Sequence, residues 1–339
     1  MVAPPRSRAP GVPQPEIAMK LSVLIPCYNG ADIIATQLEA LAKQYWSESW
    51  EVIVADNGST DDSLAIVEKY RNKLPHLRIV DASARRGQPY ALNVGAQAAT
   101  GDALAFCDAD DEMAPGWVAA IGEALSRHDF VASRFEFRKL NAPWALEARS
   151  CGHGTCGQEN GLQKIGYPPY LPFAGGCGLG VKKSIHDAVG GFDEFLPYLH
   201  DVDYCCKIQF MGVELHFVPE AVMHVRCRHT FRGIFRQARH WAEYNIILYK
   251  KYKDVSTMKV LQPWRRYIRS WQYCLLLFVK WGVVLSLTPL YLTNQPSLLQ
   301  HLPKFRSKGD IGIMVWRLGW LIGQLQGSIQ HRLPPVGSI

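Results

Sequence analysis

Four short apolar runs, at residues 21–25, 52–55, 77–80 and 103–107, alternate with amphipathic stretches at 33–44, 64–70, 91–99 and 117–126. Strand then helix, repeated in this way, confines the chain to βαβ units and hence to an α/β fold. Its mostly parallel sheet is expected to carry helices on both faces. In such sheets ligands bind beyond the carboxyl ends of the strands. The polar clusters lie at those ends: Pro26-Cys27-Tyr28-Asn29 after the first run, Asp56-Asn57-Gly58-Ser59-Thr60-Asp61 after the second, and Asp108-Ala109-Asp110-Asp111 after the fourth.

At 339 residues, 48% apolar and 20% charged, the chain has enough to bury a full core and is neither disordered nor collagen-like. No period of about 20 to 50 residues recurs, which excludes a solenoid. The formal charge of +7 suits an anionic partner. Its basic residues concentrate after residue 226, whereas carboxylates cluster in the first 125, so a nucleic-acid face is not expected. Nine cysteines without regular spacing, and no secretory leader pattern, suggest a reduced, cytoplasm-facing protein. Cys151 and Cys156 bracket His153, but structural zinc needs four ligands at recognisable spacing.

The three carboxylates Asp108, Asp110 and Asp111, at the exit of a buried strand, are costly unless a cation or a cation with a diphosphate meets them. Mg²⁺ and Mn²⁺ take oxygen ligands and leave positions open for phosphate. The competing reading is a solvated turn in which Asp111 caps the helix at 117–126. Asp56 ends a strand where its carboxylate can accept the imide N–H of a uracil-like base. Gly58 permits a tight turn there, and Ser59 or Thr60 can cap the next helix. Arg85 and Arg86 precede a helix, a place that suits a diphosphate; a solvated pair is the alternative.

In this order, the motifs resemble those of family 2 glycosyltransferases with a GT-A fold. The matching residues are Pro26 to Asn29, Asp56 to Ser59, Arg86-Gly87, Ala91 to Gly95 through Asn93, and Asp108 to Asp110. The resemblance continues in Gly190-Gly191-Phe192-Asp193 and in His200-Asp201-Val202-Asp203, where His200 occupies the usual Glu position. It implies donor contacts from Pro26, Tyr28, Asn29, Asp56, Arg86, Gly87, Asn93 and Asp108. It also implies metal ligation by Asp108, Asp110 and His224, and a catalytic base at Asp201. Chemistry makes the same demand, since displacement at an anomeric carbon needs a carboxylate for the acceptor proton and a cation for the leaving diphosphate. Helix capping is the other role open to Asp201. Gln237 to Trp241 resembles a processive-synthase signature with the arginine displaced, and reads as an amphipathic helix on a non-processive enzyme.

The expected organisation is a disordered tail over 1–18, a catalytic domain over 19–228 and a helical, apolar, membrane-associated region over 229–339. Within the catalytic domain, 19–111 would bind the nucleotide sugar and 112–228 the acceptor. In the last region, 271–292 approaches the length of a membrane span but carries Lys280 near its centre. Arg265, Arg266 and Arg269 precede it, and Lys304, Arg306 and Lys308 follow, as suits an anionic leaflet. Gly319, Gly323 and Gly327 form a ridge suited to close helix packing. The expected activity is inverting transfer from a nucleotide sugar, with uridine favoured, to a glycan or lipid-linked acceptor, assisted by Mn²⁺ or Mg²⁺ at the cytoplasmic membrane face. A nucleotidyltransferase or a non-catalytic nucleotide-sugar-binding module is the alternative.

Overall fold

The computed structural model describes residues 19–150, 158–255 and 307–331. The tail over 1–18, the Cys151–Cys156 loop and the apolar segment over 271–292 with Arg265, Arg266, Arg269, Lys304 and Arg306 lie outside the described residues.

The first half alternates as the sequence implies: β1 (Leu21–Cys27), α1 (Ile34–Ala42), β2 (Trp50–Asp56), α2 (Ser63–Glu68), β3 (Arg78–Asp81), α3 (Gln88–Ala98) and β4 (Ala103–Phe106). Then come β5 (Glu112–Met113), α4 (Trp117–Arg127) and β6 (Phe130–Glu136). Beyond these lie α5 (Pro143–Ser150), β7 (Gln163–Lys164), β8 (Pro172–Phe173), β9 (Leu179–Lys182), α6 (Lys183–Val189), α7 (His200–Phe210) and β10 (His216–His224). Two long helices close the series, α8 (Phe231–Tyr252) and α9 (Lys308–His331).

One eight-stranded sheet runs β3-β2-β1-β4-β9-β6-β10-β5, while β7 and β8 form a separate pair. The β3-β2-β1-β4 half is parallel, as is β6 with β10. β9 is antiparallel to both β4 and β6, and β5 is antiparallel to β10. The sheet is therefore mixed on its second side.

Alternating residues of the central strands enter two cores. Leu21, Val23, Ile25, Val52, Val54, Ala103 and Ala105 pack with α1 and α4 on one face. Leu24, Ile53, Leu104 and Phe106 pack with α3, α7 and α8 on the other. Two apolar faces per strand explain why these runs are uninterrupted in sequence. The parallel register sets Cys27 beside Asp56 and Asp56 beside Asp81, so the loops after β1, β2 and β3 leave one edge together.

The glycine ridge of α9 lies against α8. A Cβ at Gly323 would come 2.0 Å from the Arg239 carbonyl oxygen, and one at Gly319 2.5 Å from that of Phe235. Only a bare backbone allows this approach. Gly312 meets Ala148 of α5 in the same way, at 2.4 Å. No helix among the described residues is long and apolar enough to cross a membrane.

Candidate active site

The loops at the carboxyl edge are fastened to one another. Asn29, at φ +48°, accepts the Thr60 N–H through its side chain at 2.8 Å, and its own N–H donates to Ser59 Oγ at 3.0 Å. The Gly30 N–H donates to Ser63 Oγ, and the Ala31 N–H to Asp61. Ser59 and Thr60 thus join the β1 and β2 loops and do not cap α2, whose first flanking residue is Asp62.

Asp56 is 7% exposed, and its carboxylate accepts the N–H groups of Gly58 and Ser59 at 3.1–3.2 Å. A carboxylate ends this strand because it closes the turn around Gly58, which sits at φ +80°. Asn57 ties that turn to the loop before α3. Its amide donates to the carbonyls of Ala82 and Arg85, and its side-chain oxygen accepts the Gly87 N–H at 2.8 Å. The Arg86 guanidinium donates to the carbonyls of Asn57 and Gly58 and lies 4.2 Å from the centre of the half-exposed Tyr28 ring. Arg86 is exposed, and its guanidinium braces the two loops against each other. Pro26 stays within β1, opposite Ala55.

Asn93 has a different place from the one the motif implies. It is buried on α3, where its side-chain oxygen accepts the Phe192 N–H and its amide donates to the Phe192 carbonyl and to Glu194. It positions the Gly190-to-Asp193 segment.

At the end of β4, Asp108 accepts from the Gln88 amide at 2.7 Å. Burial and then the charges of Asp111, Asp110 and Asp201 push its carboxyl well above the usual carboxylate range. Asp111 is 2% exposed. Its Oδ1 accepts the Arg226 N–H at 2.8 Å, while its buried Oδ2 has no hydrogen-bond partner among the described residues. Burial, reinforced by Asp110, raises it to about 7. It does not cap α4, whose first flanking residue is Gly116. Ligand atoms of Asp108, Asp111 and Cys177 all lie within 4.8 Å of one another, the one such metal-capable group among the described residues.

Asp110 and His224, the other expected ligands, are engaged differently. Asp110 faces Arg228 at 3.4 Å, and its carbonyl accepts from Arg226. His224 Nδ1 is 2.7 Å from Glu136 Oε2. A carboxylate behind a histidine fixes its tautomer and ring orientation, so Glu136 sets how His224 is presented.

Asp201 lies in the first turn of α7, after Leu199 at φ +57°. Its Oδ2 accepts the Gly176 N–H at 3.0 Å and its Oδ1 the Val202 N–H at 2.9 Å. The residue flanking α7 is Leu199, so Asp201 is not its cap. Its charge reaches Asp108. His200 is buried with Nδ1 unpartnered among the described residues, and burial depresses its basicity against the pull of Asp201 and Asp203. Asp203, 0% exposed, accepts from Tyr252 at 2.6 Å and pairs with Lys251 at 2.7 Å, anchoring α7 to the end of α8.

Sequence reasoning missed Asn57, Cys177, Glu136 and Lys251. Cys177 sits in the Gly-rich stretch Gly175-Gly176-Cys177-Gly178, and its meeting with Asp111, across 66 positions of chain, leaves no local signal.

The family model described as Glycosyl transferase family 2 matches residues 22–190, and that described as Glycosyl transferase family group 2 matches 154–318. The uncharacterized glycosyltransferase YibD of Escherichia coli K12 is 44% identical over 127 residues, which are 38% of this chain and 35% of that protein. The probable glycosyltransferase YdaM of Bacillus subtilis 168 is 27% identical over 236 residues, 67% of this chain and 55% of its own length. The chain thus spans about a third to about half of these curated relatives. In fold, it is similar to the mannosyltransferase PcManGT of Pyrobaculum calidifontis, solved with GDP-Man and Mn²⁺. That match has a TM-score of 0.58 and 20% identity, and covers 93% of this chain and 89% of the other. With an ordered series of motifs, a mixed α/β sheet of GT-A type and two family models that together run from residue 22 to residue 318, the chain belongs to glycosyltransferase family 2.

Proposed function

We propose that the chain moves a sugar, with inversion, from a nucleotide-sugar donor to a hydroxyl of a glycan or lipid-linked acceptor. A UDP-sugar is the favoured donor, and the cytoplasmic face of an anionic membrane the favoured site. The observation that carries this reading is that adjacent residues join the two groups: the Gly176 N–H donates to Asp201, and the Cys177 sulfur lies within 4.8 Å of the Asp108 and Asp111 carboxylates.

The acidic cluster fits a hard cation. It holds an orphaned buried carboxylate oxygen on Asp111 and a carboxyl on Asp108 raised by its neighbours. Asp108 and Asp110, with Asp111 beside them and His224 oriented by Glu136, are the residues to hold Mn²⁺ or Mg²⁺. When bound, the cation supplies charge stabilisation to the departing diphosphate. Asp56 and the Asn57-braced turn shape the base pocket, with Tyr28 and Arg86 along its rim. Asp201 takes the proton of the acceptor hydroxyl as that oxygen attacks the anomeric carbon from the side opposite the diphosphate. A single displacement of this kind inverts the configuration. The N–H of Gly176 holds the carboxylate in place for the attack.

A nucleotidyltransferase is less well supported, because residues 28–33 after β1 contain no Lys or Arg to hold a triphosphate. Membrane attachment draws support from the apolar side of α9, carrying Ile311, Met314, Val315, Leu318, Ile322 and Leu325 away from the glycine ridge. Asp201→Asn tests the central proposal. Donor binding should persist while turnover falls about 10²-fold or more. Retained turnover, or a product with the donor's anomeric configuration, would remove Asp201 as the base.

A further inference from the structure

Between residues 226 and 242 the chain carries five arginines and two histidines and no carboxylate. Arg226 and Arg228 follow β10, whereas Arg232, Arg236 and Arg239 belong to α8. On α8, Arg232, Arg236 and Arg239 recur at intervals of four and three, so they share one side of the helix and form a row about 10 Å long. The core-facing residues of α8, Ile234, Ala238 and Asn245, lie on another side. The row begins at the candidate cation site, where Arg228 is 3.4 Å from Asp110. It ends beside the entrance to α7: Arg239 meets His240 at 2.6 Å, and the His240 ring packs against Tyr198 with centroids 4.4 Å apart. Tyr198 stands three residues before Asp201. The charges of Arg236, Arg239 and Arg228 all reach its hydroxyl.

Arg232 and Arg236 are exposed, and among the described residues neither has a carboxylate within ion-pair distance. A solvated helix face of ordinary type intersperses both signs; here the first carboxylate on this side is Glu243, beyond the row. Guanidinium groups in series recognise phosphate, whose oxygens accept their paired N–H donors. The donor diphosphate belongs at the Asp108 end, so the part of the row along α8 lies where the acceptor must approach Asp201.

We infer that Arg232, Arg236 and Arg239 bind a phosphate group carried by the acceptor, holding its hydroxyl towards Asp201. The inference rests on the glycosyl-transfer reading above and deepens it by giving the acceptor's chemical class. The phosphate is either that of a lipid headgroup or that of a soluble phosphorylated glycan, and the two sources are separable by experiment.

The test is calorimetry on the full chain saturated with UDP and Mg²⁺, using glycerol phosphate and monomeric dodecyl phosphate as probes and dodecyl maltoside as the neutral control. The parent should bind both phosphates and not the maltoside, more weakly as salt rises. In Arg232→Glu/Arg236→Glu, phosphate binding should fall about tenfold or more while UDP affinity stays unchanged. Dodecyl phosphate binding tighter than glycerol phosphate assigns the lipid source, and equal binding the soluble one. Phosphate affinity equal in parent and variant overturns the inference, as does a parent that binds neither probe. Phosphate binding that UDP abolishes overturns it too, because the row would then belong to the donor. Failure of the parent to bind any nucleotide diphosphate is a separate result that counts against the glycosyl-transfer reading.

Discussion

The strongest electrostatic feature of the site makes a prediction about stability. Asp111 is 2% exposed, its Oδ2 has no partner among the described residues, and its carboxyl is raised to about 7 from the ordinary 3.8. A raised carboxyl means that the folded protein binds the proton more tightly than the unfolded chain, so stability falls as pH rises through the interval from about 4 to 7. At about 1.4 kcal/mol per unit the whole rise is worth about 4 kcal/mol, of which about 3 falls between pH 5 and 8. Two other groups act in the opposite sense. His186, depressed to about 4 by burial, and His200, depressed likewise, add stability as pH rises towards their unfolded value near 6.5. Glu51 stays out of the interval. Burial opposes its ionisation, but hydrogen bonds from Thr100, Ser22 and Arg78 outweigh it and hold it at about 2. Stability from Glu51 is therefore present above its unfolded value and lost only as pH falls towards 2.

The measurement is consequently a difference. Asp111→Asn keeps the acceptor for the Arg226 N–H and removes the charge. Without divalent cation, the variant should gain on the parent by about 3 kcal/mol between pH 5 and 8, or roughly 5 to 10 °C in Tm. Saturating Mn²⁺ should stabilise the parent most at pH 8, since it binds the ionised cluster and not the unfolded chain. Parallel pH profiles for parent and variant would refute the reasoning, showing that Asp111 ionises without penalty.

Three further outcomes follow from the packing and the site. Gly323→Leu drives a side chain into the Arg239 carbonyl and should cost about 1 to 3 kcal/mol while exposing α9 to limited proteolysis; Ile329→Ser, at a 75% exposed position, should do neither. Lys251→Met with Tyr252→Phe strips both partners from the buried Asp203 and should destabilise by about 3 to 5 kcal/mol, read by chemical unfolding, with a fall in kcat larger than any change in donor KM. Asp56→Ala releases the Gly58 and Ser59 N–H groups and should remove discrimination between UDP and GDP in competition binding. Equal UDP and GDP affinity in the parent would end the uracil assignment.

The first half of the fold was legible because each local signal points the same way. Continuous apolar runs met amphipathic ones at regular spacing, and the observed strands and helices lie within a few residues of those expected. The antiparallel strand β9, only four residues long, reads as nothing in particular; its pairing with β4 and β6 is decided by contacts far apart in sequence. The site divides in the same manner. Asp56, Asp108 and Asp201 were visible because strand ends and helix starts are marked by their neighbours. Asp111 was visible as a member of the acidic cluster with capping as its other reading, and only the fold decides between them by burying it under Arg226.

The Gly175-to-Gly180 stretch shows why a glycine-rich sequence is easily misread as flexible. A Cβ on Gly175 would lie 2.9 Å from the Phe135 ring, one on Gly178 2.8 Å from Ser133, and one on Gly180 2.9 Å from Val131. Small residues are needed here for close approach. The same approach brings the Gly176 N–H to Asp201, while Leu199 at φ +57° and the Lys251–Asp203–Tyr252 contacts fix α7 from its other sides. The helix that carries Asp201 is thus held from two distant parts of the chain, Gly176 and the end of α8. Because α9 packs its glycine ridge along α8, a load on the C-terminal helices is carried through α8 to the helix that presents the carboxylate. A general base must meet its proton within hydrogen-bonding distance. Displacement of α8 by even about 1 Å would therefore register in turnover before it registered in nucleotide binding, if the residues proposed for it, on β1, β2 and β4, are the ones that bind.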